Sequence, residues 1–235
     1  MGTERTALLI ADIGGYTEYM GSHRMTLAHA EVNTARMLES IVRAASGFEL
    51  VEIEGDAAFL SRRAAARQPD TTLSDILVLA VAMHRAFHLE REYVVQNLCP
   101  CGGCRQARNL TLKFVAHIGD VATQRVSGRS KLVGIDVILV HRLLKNSVEI
   151  PEYVLLTEEL YGTGTTPLPT SVGEITPEVE GIGSVRAYFV DVADLDDVGV
   201  APPSPTLRSR LGSTFSAVGR GLPYMLGTRK PRRVR

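Results

Sequence analysis

Two aspartates next to glycines are the residues of this sequence best suited to chemistry. Asp12 follows the apolar run Ala7–Ala11 and precedes a pair of glycines, and Asp56 directly follows Gly55. Mg²⁺ is usually held by one or two carboxylates together with substrate phosphates. Neighbouring glycines let backbone N–H groups approach an anion. Each segment alone also fits a simple turn at a strand end, because aspartate is a common turn former.

Four segments, taken in order, resemble the motifs of the class III adenylate/guanylate cyclase homology domain. They are Asp12-Ile13-Gly14-Gly15-Tyr16-Thr17, Gly55-Asp56, Leu112–Val121 with its His-x-Gly pattern, and Gly134–Leu143. Four matches in sequence order are more specific than any one of them. Further matches between residues 131 and 157 resemble an uncharacterised bacterial branch of cyclase-like domains.

The resemblance implies binding of a nucleoside triphosphate with Mg²⁺ or Mn²⁺. Asp12 and Asp56 match the family's metal ligands. Arg142 matches the arginine that stabilises the transition state of cyclisation. The family supplies that arginine from the partner chain, so the resemblance implies a homodimer with the nucleotide at its interface. The residues matching the loop that cradles the phosphates at a helix start are Gly14, Gly15, Tyr16 and Thr17. Without the family, Arg142 fits a salt bridge on a helix surface.

Three positions depart from the family pattern. Glu52 stands where the family usually has a base-reading lysine, and Lys131 stands where the partner acid or polar residue is usual. Ile138 replaces the asparagine that orients the ribose and cannot form a hydrogen bond. Glu52 and Lys131 could still meet across a dimer interface, or both could be solvated. Two hypotheses follow: an active or altered-specificity enzyme, which performs metal-dependent cyclisation or another reaction at a nucleotide phosphate, and a non-catalytic module for ligand sensing or dimerisation.

Hydrophobic periodicity predicts alternating strands and helices. The predicted strands are 5–13, 48–53, 57–61, 110–117, 121–126, 153–157 and 183–192, and the predicted helices end at Gly47 or span 72–96 and 135–146. Strand-helix-strand-strand-helix-strand is the order of a ferredoxin-like α+β core. We predict one cyclase-like domain over 1–196, with a cysteine-rich insertion at 97–109. A Pro-rich linker and a basic tail, partly disordered, would fill 197–235.

The insertion carries a second candidate metal site. Cys101 and Cys104 have the Cys-x-x-Cys spacing of two zinc ligands, Cys99 could be a third, and His84 or His88 could be the fourth. His84 and His88 are four residues apart and would point the same way from a helix. A disulfide-based redox switch and a loop of simple thiols remain alternatives.

The other histidines offer less. His117 ends a predicted strand and fits a structural role better than that of a catalytic base. His23, His29 and His141 have no partner nearby in the sequence, so no role is assigned to them.

Composition sets the broad class. The chain has 235 residues, 45% of them hydrophobic, enough for a proper core. The longest strongly apolar run, Ile76–Met83, is too short to span a bilayer. An odd number of cysteines argues against a disulfide scaffold, and no signal peptide is evident, so a cytoplasmic protein is expected.

The net charge of zero conceals an uneven distribution. Residues 201–235 hold eight basic residues and no acidic one, so the remainder of the chain is acidic. Such a tail could meet an anionic membrane surface, bind nucleic acid without sequence preference, or dock on the acidic body. Glycines and a proline within it favour a disordered segment.

Overall fold

The computed structural model describes residues 2–22, 27–64, 69–96, 102–164, 168 and 171–195. The strands are β1 (Glu4–Gly14), β2 (Glu49–Glu54), β3 (Ala57–Arg63), β4 (Thr111–Val126), β5 (Arg129–Val133), β6 (Tyr153–Thr157), β7 (Gly173–Ile175), β8 (Glu178–Val179), β9 (Gly183–Ser184) and β10 (Ala187–Asp191). The helices are α1 (Tyr16–Ser22), α2 (Leu27–Ala44), α3 (Pro69–Val95), α4 (Gly102–Gln106), α5 (Ile135–Arg142), α6 (Glu158–Tyr161) and α7 (Val192–Leu195).

The central sheet has the predicted ferredoxin-like core. Its strands lie in the order β2-β3-β1-β4-β6-β10-β7, and β5 pairs with β4. The first four strands in this order are joined through α2 and α3, which is the expected βαββαβ arrangement. The α+β prediction is therefore confirmed, and β6, β10 and β7 extend the core on the β4 side.

Strand alternation divides the core between two faces of the sheet. In β1, Leu9 and Ala11 pack with α2 and α3, whereas Leu8 and Ile10 pack with α5. Successive side chains of a strand point to opposite faces. Asp12 therefore lies on the face that carries α5.

One predicted strand pair is wrong. Residues 110–117 and 121–126 belong to the single strand β4, and the hairpin turn comes later, at Ser127 and Gly128. Both turn residues have positive φ, 51° and 78°. The pair Gly119-Asp120 had suggested a turn, yet it continues the β4 pairing with β1 through Thr6 and Arg5.

The remaining boundaries shift by smaller amounts. Helix α3 begins at Pro69, three residues before the predicted start, and proline is favoured at the first helical position. Helix α5 ends at Arg142 instead of Asn146. The predicted last strand, 183–192, is divided between β9 and β10.

Helix α3 is also the one described helix long and apolar enough, by length and composition, to cross a membrane. This segment is Thr72–Val95, and 44% of its most apolar 18-residue stretch is buried inside the fold. Its buried residues, including Ile76, Met83 and Phe87, belong to the core beneath the sheet. Helix α3 therefore packs as a core helix of the fold.

Candidate functional site

Asp12 lies near the end of β1 between two neighbouring strands. In the sheet it pairs with Ala57 of β3 and with Lys113 of β4. Lys113 Nζ lies 3.3 Å from Asp12 Oδ2, and both side chains are largely buried. The same ammonium group donates a hydrogen bond of 3.2 Å to the carbonyl of Leu144. No local pattern in the sequence predicts this ion pair, because it depends on the register of β1 against β4.

Asp56 lies in the β2–β3 turn, beside the end of β1. The backbone N–H of Ile13 donates to the carbonyl of Asp56 at 3.2 Å, which holds the turn against the strand. Gly55 has φ of +65°, a conformation that side chains rarely adopt. Burial raises the pKa of the Asp56 carboxyl, and the negative charge of Asp12 raises it further. The two predicted metal ligands therefore lie close enough to repel each other electrostatically.

The segment after Asp12 forms a tight strand-to-helix turn. A Cβ at Gly14 would collide with the Thr111 side chain, and one at Gly15 would lie 3.3 Å from the carbonyl of Asn109. Close packing against residues 109–111 therefore accounts for these glycines. Tyr16 and Thr17 open α1. Burial raises the pKa of the Tyr16 phenol, with a further contribution from nearby carboxylates.

The residues at the divergent positions line one cavity of about 460 Å³ on the α5 face. Glu52 comes from β2, Lys131 from β5, and Ile138 and Arg142 from α5. Glu52 and Lys131, for which a meeting across a dimer interface and simple solvation were the two alternatives, border the same cavity within one chain. The cavity therefore has an acidic and a basic side chain, together with an apolar one where the family has an amide.

Two residues of α5 shape the mouth of this cavity. Arg142 is exposed and lies beside Gly181, and no carboxylate of the described residues forms an ion pair with it. His141, which received no role from the sequence, contacts Glu54 through Nδ1 at 3.3 Å and packs edge-on against Phe59. Arg142 therefore presents its charge to solvent, as a group serving a ligand or a partner chain would.

His117 is buried deep in β4, which agrees with its predicted structural role. Its Nδ1 lies 2.8 Å from Thr157 Oγ1, and its Nε2 lies 3.2 Å from Asp136 Oδ1. Gly119 leaves the space that Asp136 and His117 occupy. Burial lowers the pKa of His117, with Arg5 adding to this effect, although the carboxylates of Asp136 and Glu159 oppose it. The His-x-Gly motif thus joins β4 to the first turn of α5.

Only part of the cysteine-rich prediction falls on described residues. Cys99 and Cys101 lie outside them, so the zinc site stays a prediction. Cys104 is fully buried, with Sγ 3.5 Å from His29 Nε2 and 3.6 Å from Asn33 Nδ2. His29, for which the sequence suggested no role, therefore lies next to the sulfur atom of Cys104.

The two histidines suggested as the fourth zinc ligand have a different neighbour. His84 and His88 contact Glu152, and these three form the one cluster of metal-ligating side chains found in the described residues. Glu152 is more than 60 residues from either histidine in the sequence, so the local spacing of residues could not predict this contact.

The chain has the fold of class III adenylyl and guanylyl cyclases. The crystal structure of the adenylyl cyclase CyaB from P. aeruginosa is similar with a TM-score of 0.60 and 15% identity, covering 80% of this chain and 95% of that one. The guanylyl cyclase Cya2 gives a TM-score of 0.60 at 18% identity, covering 81% and 94%. A class III adenylyl cyclase-like ATP-binding protein from Pseudomonas aeruginosa gives 0.55 at 18% identity, covering 69% and 35%. At these identities, the likeness is one of fold.

The chain belongs to the family described as "Protein of unknown function (DUF2652)", whose profile matches residues 34–153. The "Uncharacterized protein Rv2561/Rv2562" of Mycobacterium tuberculosis (strain ATCC 25618 / H37Rv) is 36% identical over 199 residues, 83% of this chain and 90% of that protein. The resemblance to an uncharacterised cyclase-like branch is therefore confirmed.

Proposed function

We propose that this protein is a homodimeric cyclase-like protein that binds a nucleoside triphosphate with Mg²⁺ or Mn²⁺ and that has altered or lost cyclase activity. The observation that carries the proposal is the meeting of Asp12 and Asp56 where β1 reaches the β2–β3 turn. The negative charge of Asp12 helps to raise the pKa of the Asp56 carboxyl, so a cation bound between the two would stabilise the pair.

The donor set fits a hard divalent ion. Asp12 and Asp56 would hold it through oxygen atoms, with the Ile13 carbonyl as a further oxygen donor. When bound, the metal would neutralise phosphate charge and polarise the α-phosphate. The chain's own residues would place the nucleotide, with Gly14, Gly15, Tyr16 and Thr17 beside the phosphates.

The cavity on the α5 face would take the base and the ribose. Glu52 accepts hydrogen bonds and Lys131 donates them, so the pair can read both kinds of polar group on a base. Ile138 offers only an apolar surface to the ribose. Arg142, exposed at the end of α5, would reach the phosphates bound by the partner chain of a dimer.

The exposed apolar residues support a homodimer. Ile135 and Ile138 of α5 are 57% and 46% exposed, and Ile138 lies beside the polar residues that line the cavity. Exposed apolar side chains clustered next to polar residues are typical of protein interfaces. A second copy covering this face would also bring its Arg142 to the site.

A second candidate, a non-catalytic nucleotide sensor, is favoured by Lys113. Its ammonium already neutralises Asp12 at 3.3 Å, so the chain itself supplies positive charge at the metal position. Ile138 removes a positioning group, and the loss of such a group can cost orders of magnitude in rate. A structural neighbour that is a cyclase-like ATP-binding protein gives this candidate a parallel in the same fold.

The cytoplasmic location and the tail's anionic partner remain proposals. Residues 196–235 lie outside the described part of the chain. The proposed nucleotide site does not depend on the tail.

The test is a binding and turnover assay on the purified chain. ATP, GTP, CTP and UTP are incubated in turn with Mn²⁺ or Mg²⁺, products are identified by mass, and binding is measured in parallel. Asp12→Asn should abolish any metal-dependent binding or product. Asp120→Asn is the matched control, since Asp120 is an exposed residue of β4 that pairs with the opposite end of β1, and its carboxylate lies 4.0 Å from Arg5 Nη1.

The outcomes separate the two candidates. A cyclic product lost only with Asp12→Asn supports an enzyme, and metal-dependent binding without product supports the sensor. No binding of any triphosphate with either metal would exclude both.

A further inference from the structure

A cluster of two histidines and a glutamate lies on the face of the sheet opposite Asp12. His84 and His88 are four residues apart on α3, and Glu152 immediately precedes β6. His84 Nε2 lies 3.0 Å from Glu152 Oε2, His88 Nε2 lies 2.8 Å from Glu152 Oε1, and the two Nε2 atoms lie 2.9 Å apart. Three potential ligand atoms thus converge on one point.

When Glu152 is ionised, protons alone cannot satisfy these three contacts. Glu152, when ionised, only accepts hydrogen bonds, so each histidine would have to carry its proton on Nε2. The 2.9 Å contact between His84 and His88 would then join two donors. If either Nε2 is unprotonated, its lone pair faces a carboxylate oxygen instead. A cation between the three atoms removes the conflict, because every lone pair then points at it.

We propose that His84, His88 and Glu152 bind a zinc-type divalent transition metal ion. Imidazole and carboxylate ligands suit Zn²⁺ and its first-row neighbours, at about 2.0–2.2 Å from the metal. Two ligands at about 2.05 Å subtend about 90° when they are about 2.9 Å apart, and a separation of about 3.3 Å opens the angle to the tetrahedral value. The three separations found here, which involve both carboxylate oxygens of Glu152, are a few tenths of an ångström shorter than that value.

The surroundings fix the carboxylate in place, as the outer shell of a metal site does. Glu152 Oε1 accepts a hydrogen bond of 2.9 Å from the backbone N–H of Leu112. The carbonyl of Glu152 accepts another from the N–H of Val192, at 3.2 Å. His88 packs edge-on against Phe87, which restricts its ring. Glu152 is therefore held toward α3 by backbone contacts from β4 and α7.

The set of ligands leaves a coordination position open. Three protein ligands are the number that zinc sites with an exchangeable fourth position use. The three side chains are 17–22% exposed, so water or a small anion can reach the ion. The proposal uses none of the cysteines and does not rest on the proposed nucleotide binding.

The proposal is tested on the full chain after removal of metal with a chelator. Zn²⁺ titrated into this protein should bind and raise the melting temperature, by roughly 5–10 °C at a hundred times the dissociation constant. Glu152→Gln should weaken binding by more than about tenfold, while its amide oxygen still accepts from Leu112. Glu149→Gln, an exposed acid three residues earlier, should leave binding unchanged.

Zinc bound by the cysteines must be distinguished from zinc at this cluster. Co²⁺ in place of Zn²⁺ reports the ligands, because thiolate ligands add an intense charge-transfer band that histidine and glutamate lack. We expect one Co²⁺ without that band to persist in Cys99→Ser and to disappear in His88→Ala. The thermal unfolding of each metal-free variant shows whether it still folds.

Three results would overturn the proposal. The first is no Zn²⁺ binding by the folded wild-type chain. The second is Zn²⁺ affinity that is the same in Glu152→Gln and His88→Ala as in the wild type. The third is loss of all bound metal in Cys99→Ser while Glu152→Gln retains it.

Discussion

Because Lys113 forms an ion pair with Asp12, we predict that replacing Lys113 with a neutral residue will strengthen metal binding at Asp12. Lys113 Nζ lies 3.3 Å from Asp12 Oδ2, and a metal would bind the same oxygen at about 2.1 Å. The ion would then be at most about 5.4 Å from the ammonium group. A double and a single positive charge at that distance repel by about 1.5 kcal/mol at the dielectric constant of water, and by more in a partly buried site.

Lys113→Gln removes the charge and keeps a donor for the Leu144 carbonyl. We expect the affinity for Mn²⁺ or Mg²⁺ to rise by about tenfold, since about 1.4 kcal/mol corresponds to a factor of ten. Calorimetric titration of the metal, with Mn²⁺ also followed by electron paramagnetic resonance, measures this change. Lys145→Gln is the matched control, because Lys145 is exposed just after α5.

Two results would refute this reasoning. Unchanged or weaker metal affinity in Lys113→Gln would mean that the ion does not bind at Asp12. An equal gain in Lys145→Gln would mean that general charge, and not the ion pair, controls the affinity.

The remaining predictions concern the core, the cavity and the dimer. Burial lowers the pKa of His117 below its ordinary 6.5, so between the two pKa values this histidine is protonated in the unfolded chain and neutral in the folded one. Its contribution to the free energy of unfolding is therefore complete above about pH 6.5 and is lost as the pH falls through the folded-state pKa. Urea unfolding from pH 8 to pH 5 should show a smaller loss in His117→Gln than in the wild type. Ile138→Asn, at a 46% exposed position, should change stability by less than about 0.5 kcal/mol and increase any cyclic product in the mass assay; an unchanged product level would argue against ribose binding there. Ile135→Glu, at a 57% exposed position of α5, should convert a dimer to a monomer in sedimentation without loss of the folded circular dichroism spectrum, and a persistent dimer would place the interface elsewhere.

The sequence predicted those elements whose signals are local. β1 and the β2–β3 hairpin have short apolar runs separated by glycine, and α5 has a clear start after Gly134, so their positions were close to those found. The prediction failed at β4, where Gly119-Asp120 imitates a turn. There the glycine serves to admit the His117 and Asp136 side chains, a contact that sequence distance conceals.

The candidate site was predictable only in its chemistry. Resemblance identified Asp12 and Asp56, but the cation beside Asp12 comes from a strand about 100 residues later along the chain, and strand register alone brings Lys113 there. Likewise, Glu152 reaches the two histidines of α3 because β6 runs parallel to β4, a pairing that local pattern does not encode. The pairing of strands that are distant in the sequence therefore determines which charged residues meet Asp12 and the two histidines.

The start of β4 links the two faces of the sheet. The backbone N–H of Leu112 holds Glu152 on the α3 face, and the next side chain, Lys113, holds Asp12 on the α5 face. A strand that contacts both sites through adjacent residues could couple them thermodynamically. If occupancy of one site shifts this strand, linkage requires that occupancy of the other changes the first affinity by the same factor. Zinc would then act as an effector of nucleotide binding, and the nucleotide equally as an effector of zinc.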